Sequence, residues 1–177
     1  MIFPRRLRRG SANCSHSTRK RKRSFPRTLR PSRVRMIDKY PKTCNLCGGA
    51  VLYTSNAVIY GQEYGSGRCY LCTKCGAFVG THKPWPKEAL GLLASPRMRK
   101  GKKLCHELFD PFWRGKPKAQ KKRRDLYLWL SKQLGIPWED CHFGYFDLER
   151  LREAYRILLK IQGQEMHYDS GGMIYFA

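Results

Sequence analysis

Two short stretches answer each other across the first half of the chain: Cys44-Asn45-Leu46-Cys47-Gly48 and Cys72-Thr73-Lys74-Cys75-Gly76. Each is a Cys-x-x-Cys followed by glycine, and 24 residues separate the inner cysteines. Four thiolates at this spacing can close a tetrahedral zinc site, because each pair forms a tight knuckle supplying two sulfurs at about 2.3 Å from the metal. A glycine after the second cysteine suits such a knuckle, which needs a positive φ and close approach of backbone N–H groups to sulfur. A redox Cys-x-x-Cys of the thioredoxin kind needs one such pair on a βαβ background, and that background is missing. We therefore expect one structural Zn²⁺ held by Cys44, Cys47, Cys72 and Cys75. Cys69 and His82 compete for a place in the ligand set. Cys69 alternates with Leu71 ahead of the knuckle and reads as a strand residue, and the ordinary fate of both is a packed or hydrogen-bonded side chain.

The charge balance points outward. Thirty-six Lys and Arg face 13 Asp and Glu in 177 residues, a net +23. Such a charge attracts polyanions, nucleic acid before anionic membrane. No apolar run reaches membrane-span length, and no apolar h-region follows the basic start. The eight cysteines therefore read as reduced thiols and metal ligands in a cytoplasm, whether bacterial or of an infected host cell.

The first 40 residues carry fourteen of the cations and one acid, Asp38. With little apolar content they cannot offset their ordering entropy, so a disordered basic tail is expected over 1–40. It reads as a nucleic-acid arm, a nuclear localisation run at Arg19–Arg23 or a transit peptide. Alternatively it lies upstream of a true start at Met36. Residues 41–82 are expected to form a zinc ribbon of three or four short strands, with Ala50–Tyr53 and Ala57–Tyr60 as the first two. Too small to fold alone, such a unit takes its stability from the metal.

Residues 83–163 read as a helical unit. Lys87–Ala94 suits one or two helical turns, and Ser95-Pro96 opens a helix with Leu104, Leu108 and Phe112 on its core stripe, Cys105 and Phe109 alongside. Ala119–Leu134 follows, with Leu126, Trp129, Leu130 and Leu134 on one face and Gly135 as its C-terminal cap. The third helix starts at the N-cap Asp147 and turns Leu148, Leu151, Tyr155 and Leu158 inward. Residues 164–177 are expected to be an irregular tail. The fold class is α+β: a small β zinc ribbon followed by a three-helix unit.

The longer string of motifs is specific. Tyr60-Gly61-x-x-Tyr64-Gly65 precedes the second knuckle, which continues as Gly76-Ala77-x-Val79-Gly80-Thr81-His82. Then come Ala89-Leu90-Gly91-x-Leu93-Ala94, His106-x-x-Phe109-Asp110-Pro111-x-Trp113, Tyr127-x-Trp129-Leu130, Leu134-Gly135-Ile136 and Cys141-His142-x-Gly144-x-Phe146-Asp147. Together they resemble a family of small zinc-finger-containing proteins of phages, prophages and bacteria. The resemblance covers roughly residues 41–162 and implies zinc and architecture more than an activity. It omits the basic tail, in keeping with a start at Met36.

Three function classes remain. Nucleic-acid binding, to DNA or RNA, would use Lys74, Lys83, Tyr64 and Tyr70 of the ribbon, since rings stack on bases and cations neutralise phosphates. Its second surface would be Arg114, Lys116, Lys118, Lys121, Lys122, Arg123 and Arg124 at a helix N-terminus. Residues 41–177 keep 22 cations against 12 acids, a net +10, without the tail. A protein-interaction adaptor would anchor Trp85, Trp113 or Trp138 on a replication, transcription or host-takeover factor. A metal-dependent nuclease would draw on His106, Asp110 and His142, but no nuclease motif is complete, His106 flanks a core stripe and Asp110-Pro111 is a helix-end signal. No small-molecule substrate is evident.

Overall fold

The computed structural model describes residues 37–177. β1 (Val51–Ser55), β2 (Arg68–Cys72) and β3 (Phe78–Gly80) form one antiparallel sheet in the order β1-β2-β3. Register pairs Tyr53 with Tyr70, and Tyr70 in turn with Val79. Because side chains alternate across a strand, Tyr70 and Cys72 share one face. There they form a small core with Cys44, Ala77, Val79, Ala89 and Leu93. Cys69 and Phe78 take the other face.

Residues Ala57–Tyr60, expected as a second strand, instead make a four-residue helix, α1, ended by Gly61 in the left-handed region. The β-branched pair Val58-Ile59 reads as strand, but a run this short has no measurable period. The turn is imposed by Asn56, whose buried amide accepts from the Tyr64 N–H at 3.1 Å and donates to the Tyr64 carbonyl at 2.7 Å.

Lys87–Ala94 is not helical. Its backbone pairs outward instead: Ala89 N–H to the Lys39 carbonyl, Leu90 N–H to Gly80, Ala94 N–H to Phe78. With the Lys39–Glu88 ion pair at 3.1 Å and the Tyr40 hydroxyl donating to Glu88, the Lys39 contact holds residues 39 and 40 against Glu88-Ala89. Residues 1–36 of the expected basic tail lie outside the described residues.

α2 (Pro96–Phe109) begins as expected, with Ser95 accepting from the Met98 N–H at 3.3 Å and Pro96 in the first turn. A 3-10 turn over Asp110–Phe112 follows. α3 spans Ala119–Leu134 and ends at Gly135; α4 spans Leu148–Lys160, with Asp147 accepting from the Arg150 N–H at 2.9 Å. The three helices enclose the larger core. On α2 the core residues are Met98, Cys105 and Phe109, with Leu104 and Leu108 only half-buried, so the stripe sits one position round from the expected one. Phe143, in a 3-10 turn between α3 and α4, stands at the centre. It meets Phe109 edge-on at 5.2 Å and Tyr127 at 5.6 Å.

Residues 164–177, expected as irregular, carry a hairpin of β4 (Met166–Tyr168) and β5 (Ile174–Phe176). Phe176 packs on Phe112 at 5.2 Å and on Trp129 at 4.8 Å, which is why the end of the chain is held against the helices. Among the described residues, no helix is long and apolar enough to cross a membrane.

Candidate metal centre

Both knuckles have the same backbone wiring. Cys44 N–H donates to Gly49 O at 2.8 Å and Gly48 N–H to Cys44 O at 2.9 Å. In the second, Cys72 N–H donates to Ala77 O at 2.8 Å and Gly76 N–H to Cys72 O at 3.1 Å. Gly48 and Gly76 both stand at φ +69°, a value only glycine adopts without strain. The chain reversals turn backbone N–H groups onto sulfur: Leu46 donates to Cys44 Sγ at 3.4 Å and Cys75 to Cys72 Sγ at 3.5 Å. The second knuckle also approaches the first so closely that a Cβ on Gly49 would lie 2.7 Å from Lys74 Cβ and 3.2 Å from Cys72 Sγ.

The four sulfurs of Cys44, Cys47, Cys72 and Cys75 lie within 4.8 Å of one another. Cys44 Sγ is 3.7 Å from Cys75 Sγ, and Cys47 Sγ is 3.5 Å from Cys72 Sγ. A regular tetrahedron with metal–sulfur bonds of about 2.3 Å has edges of about 3.8 Å. These two distances thus match edges of a ZnS₄ tetrahedron to within a few tenths of an ångström. The N–H groups of Cys75 and Lys74, outweighing burial, lower the Cys72 thiol to about 6. Cys75 moves the other way, to about 12: the Ala77 N–H favours its thiolate, but neighbouring sulfurs starting with Cys47, together with burial, outweigh it. Four thiolates this close repel one another, and a dication lets all four ionise together. The residues fit one structural zinc ion, with closed all-sulfur coordination and no position for substrate.

A family model described as a zinc-finger-containing domain matches residues 40–161. This chain belongs to that family. The match covers the ribbon and all three long helices and stops before the C-terminal hairpin. No curated protein and no solved structure is matched by the chain.

The two competing ligand candidates stand outside the cluster. Cys69 is buried on the opposite sheet face from Cys72, its thiol directed at the Ser55 carbonyl at 3.9 Å and raised in pKa by burial. His82 is half-buried and absent from the sulfur group. Among the described residues, the four cysteines are the one such group of three or more His, Cys, Asp or Glu.

Of the expected nucleic-acid contacts, Lys74, Lys83 and Tyr64 are exposed. Tyr70 is a correction. It is 7 % exposed, pairs with Tyr53 at 5.2 Å between ring centroids and donates to the Lys87 carbonyl at 2.6 Å, so its ring cannot receive a base. Its place was readable from its spacing, because a residue two before a metal-facing Cys72 points the same way.

The basic run of the helical half divides by environment. Arg123 turns inward, over Trp113 at 5.5 Å and Tyr127 at 5.3 Å. Lys121 pairs with Asp125 at 2.6 Å and lies over Tyr168 at 4.3 Å. Arg124 also reaches Asp125, and Arg114 pairs with Asp110 at 2.5 Å. Lys116, Lys118 and Lys122 make no ion pair among the described residues. Arg97 and Lys100 are also exposed, on α2, within the basic stretch Arg97-Met98-Arg99-Lys100-Gly101-Lys102-Lys103.

The catalytic candidates fall into two contact sets. Asp110, buried, accepts from Trp113 Nε1 at 3.2 Å and from Arg114, and faces His106 Nδ1 at 3.3 Å. His142 accepts at Nδ1 from the Gly144 N–H at 3.1 Å and stacks on Tyr127 at 5.5 Å. Burial, then the nearby Arg123 charge, pushes His142 down to about 4. These bonds brace the turn before α4 and the end of α2. Nearby, Lys102 reaches the Gly144 carbonyl at 3.1 Å, and burial brings its ammonium down to about 8. The three tryptophans proposed as anchors differ: Trp85 and Trp138 are exposed, and Trp113 is half-buried under Arg123.

Proposed function

We propose that this protein uses zinc as a structural clamp and binds nucleic acid, contacting mainly phosphates. The observation that carries the reading is the imbalance around the start of α3. Seven cations between Arg114 and Arg124 meet two carboxylates, Asp110 and Asp125, and Lys116, Lys118 and Lys122 are left without an acidic partner among the described residues. The helix start adds to this. Lys118 occupies its N-cap position in the left-handed region, φ 55°, with no side-chain cap, so the free N–H groups of the first turn face outward as donors for an anion. The zinc ribbon contributes Lys74 and Lys83 from its exposed loops.

The test is a salt titration of DNA and RNA binding by the zinc-loaded full chain. Phosphate binding predicts affinity falling steeply as salt rises. Replacing Lys116, Lys118 and Lys122 by alanine should flatten the log–log slope by roughly 2 to 3 units, since each phosphate contact contributes about 0.7–0.9. An unchanged slope excludes this surface from binding, and absence of binding at low salt removes the function. That second result would favour a protein-docking role instead, for which the exposed Trp85 and Trp138 are the observation.

A further inference from the structure

The loop between β1 and β2 stands over the sheet face opposite the zinc-side core and leaves a groove of about 520 Å³ beneath it. Its walls are aromatic. Tyr60 meets Phe78 edge-on at 5.9 Å and Tyr64 edge-on at 5.5 Å. The loop is braced from within: the Asn56 amide, 6 % exposed, bonds the Tyr64 backbone at both its ends. Across the groove, the Ser66 and Thr81 hydroxyls share a hydrogen bond of 2.6 Å. Yet the two rings positioned by this bracing are left bare, Tyr60 at 51 % and Tyr64 at 52 % exposure. A packing role would have buried them.

The edge of the groove is cationic. Exposed Arg68 lines the opening, and behind it the Arg99 guanidinium lies 4.2 Å from the Phe78 ring centre and donates to the Ala94 carbonyl at 2.7 Å. Neither makes an ion pair among the described residues. The nearest acid in sequence, Glu63, accepts from the Ser55 hydroxyl at 2.8 Å and is not among the lining residues. Exposed aromatic rings with an arginine free of any acidic partner at the mouth complement a flat ring carried on an anionic backbone, and base stacking on aromatic side chains is insensitive to sequence.

We propose that this groove is a base-binding site, taking an unstacked nucleobase of a single-stranded nucleic acid against the exposed rings of Tyr60 and Tyr64, with adjacent phosphates on Arg68 and Arg99. The proposal rests on the nucleic-acid reading above and names the form of its partner. A duplex, whose base faces are hidden in its own stack, has nothing to offer the groove. The basic start of α3 serves either form; the groove distinguishes them.

The test compares four probes on the zinc-loaded full chain: oligothymidylate and oligouridylate of roughly twelve nucleotides, an abasic strand with the same phosphates, and a duplex of that length. Both base-bearing single strands should bind about fivefold to a hundredfold more tightly than the abasic strand, as expected for one stacked base. Tyr64→Ala should erase that preference and Tyr64→Trp preserve it, while the Lys116, Lys118 and Lys122 variant weakens all four probes alike. Ultraviolet crosslinking should place the thymine or uracil on the peptide bearing Tyr60 and Tyr64. Failure of the wild type to bind any probe overturns both readings. Salt-dependent binding with equal affinity for abasic and base-bearing strands, tighter binding of the duplex, or a preference surviving in Tyr64→Ala overturns the groove alone.

Discussion

Withdrawing the metal should unfold one half of this chain and spare the other. The ribbon core contains two of the four ligands, Cys44 and Cys72, and only three other sizeable side chains, Tyr70, Val79 and Leu93. Burial of those three contributes about 5–9 kcal/mol at about 1.5–3 kcal/mol each. Structural zinc contributes about 10–16 kcal/mol in small zinc-dependent folds, so the metal stabilises the ribbon more than its apolar core does. The helical core has a different membership: Phe109, Leu126, Leu130, Phe143, Leu151 and Leu158 are buried there, with no zinc ligand among them. Hydrogen exchange read by mass spectrometry, with zinc bound and after a strong chelator, separates the halves. Strand amides of Tyr70, Leu71 and Val79 should lose protection, by about a thousandfold or more for the loss of only about 4 kcal/mol. Amides of Leu126, Leu130 and Leu158 should keep theirs. Ribbon amides still protected after elemental analysis shows the zinc gone would refute the reasoning, as would simultaneous collapse of the helices.

Two glycines should respond in opposite directions. Gly91→Ala would put a Cβ 2.2 Å from the Gly144 carbonyl oxygen at φ +152°, and both obstacles are backbone, so a loss of about 3 kcal/mol or more in urea denaturation is expected. Gly101→Ala, inside α2 with 3.4 Å to Leu151 Cδ1, should stabilise by about 0.5–1 kcal/mol; a destabilised variant would show that the α2–α4 contact has no room. Removing the Asp147 cap with alanine should cost about 1 kcal/mol in the same assay. His142, held down to about 4 from an ordinary 6.5, binds fewer protons folded than unfolded. Its contribution is therefore complete above pH 6.5 and lost as pH falls towards 4, about 3 kcal/mol in all. An NMR titration should show its ring neutral at pH 5.5, and a midpoint near 6.5 would contradict the burial argument.

Much of this was readable because it is written in local chemistry. The knuckles need two cysteines, a glycine and a reversal, all within five residues, so spacing alone locates them. Ser95-Pro96, Asp147 and Gly135 act within one helical turn, and each stands where its residue type demands. What escaped is non-local or too short for a period. Four residues of α1 cannot show whether they repeat at 2 or 3.6, and it was the buried Asn56 amide eight residues from Tyr64 that decided. Phe143 sits in a loop with no periodic neighbours, although it is the centre of the helical core. Tyr127 is masked by the run Leu126-Tyr127-Leu128-Trp129-Leu130, in which every phase looks apolar. The hairpin at the end pairs only three residues per strand and is held by Phe176 against Phe112 and Trp129, partners that the sequence does not connect. For function the asymmetry is the same. The metal ligands carry their own geometry, whereas separating Lys116 and Lys118 from the paired Lys121 or the inward Arg123 requires knowing where the carboxylates lie.

The ribbon depends first on one ion held by four sulfurs. X-ray absorption at the zinc edge, on protein whose metal content is measured in the same sample, reads that directly. One zinc per chain with four sulfur neighbours at about 2.3 Å is the predicted result. A nitrogen or oxygen atom bound to the metal, or full zinc retention in a Cys72→Ser, Cys75→Ser double variant, would contradict it.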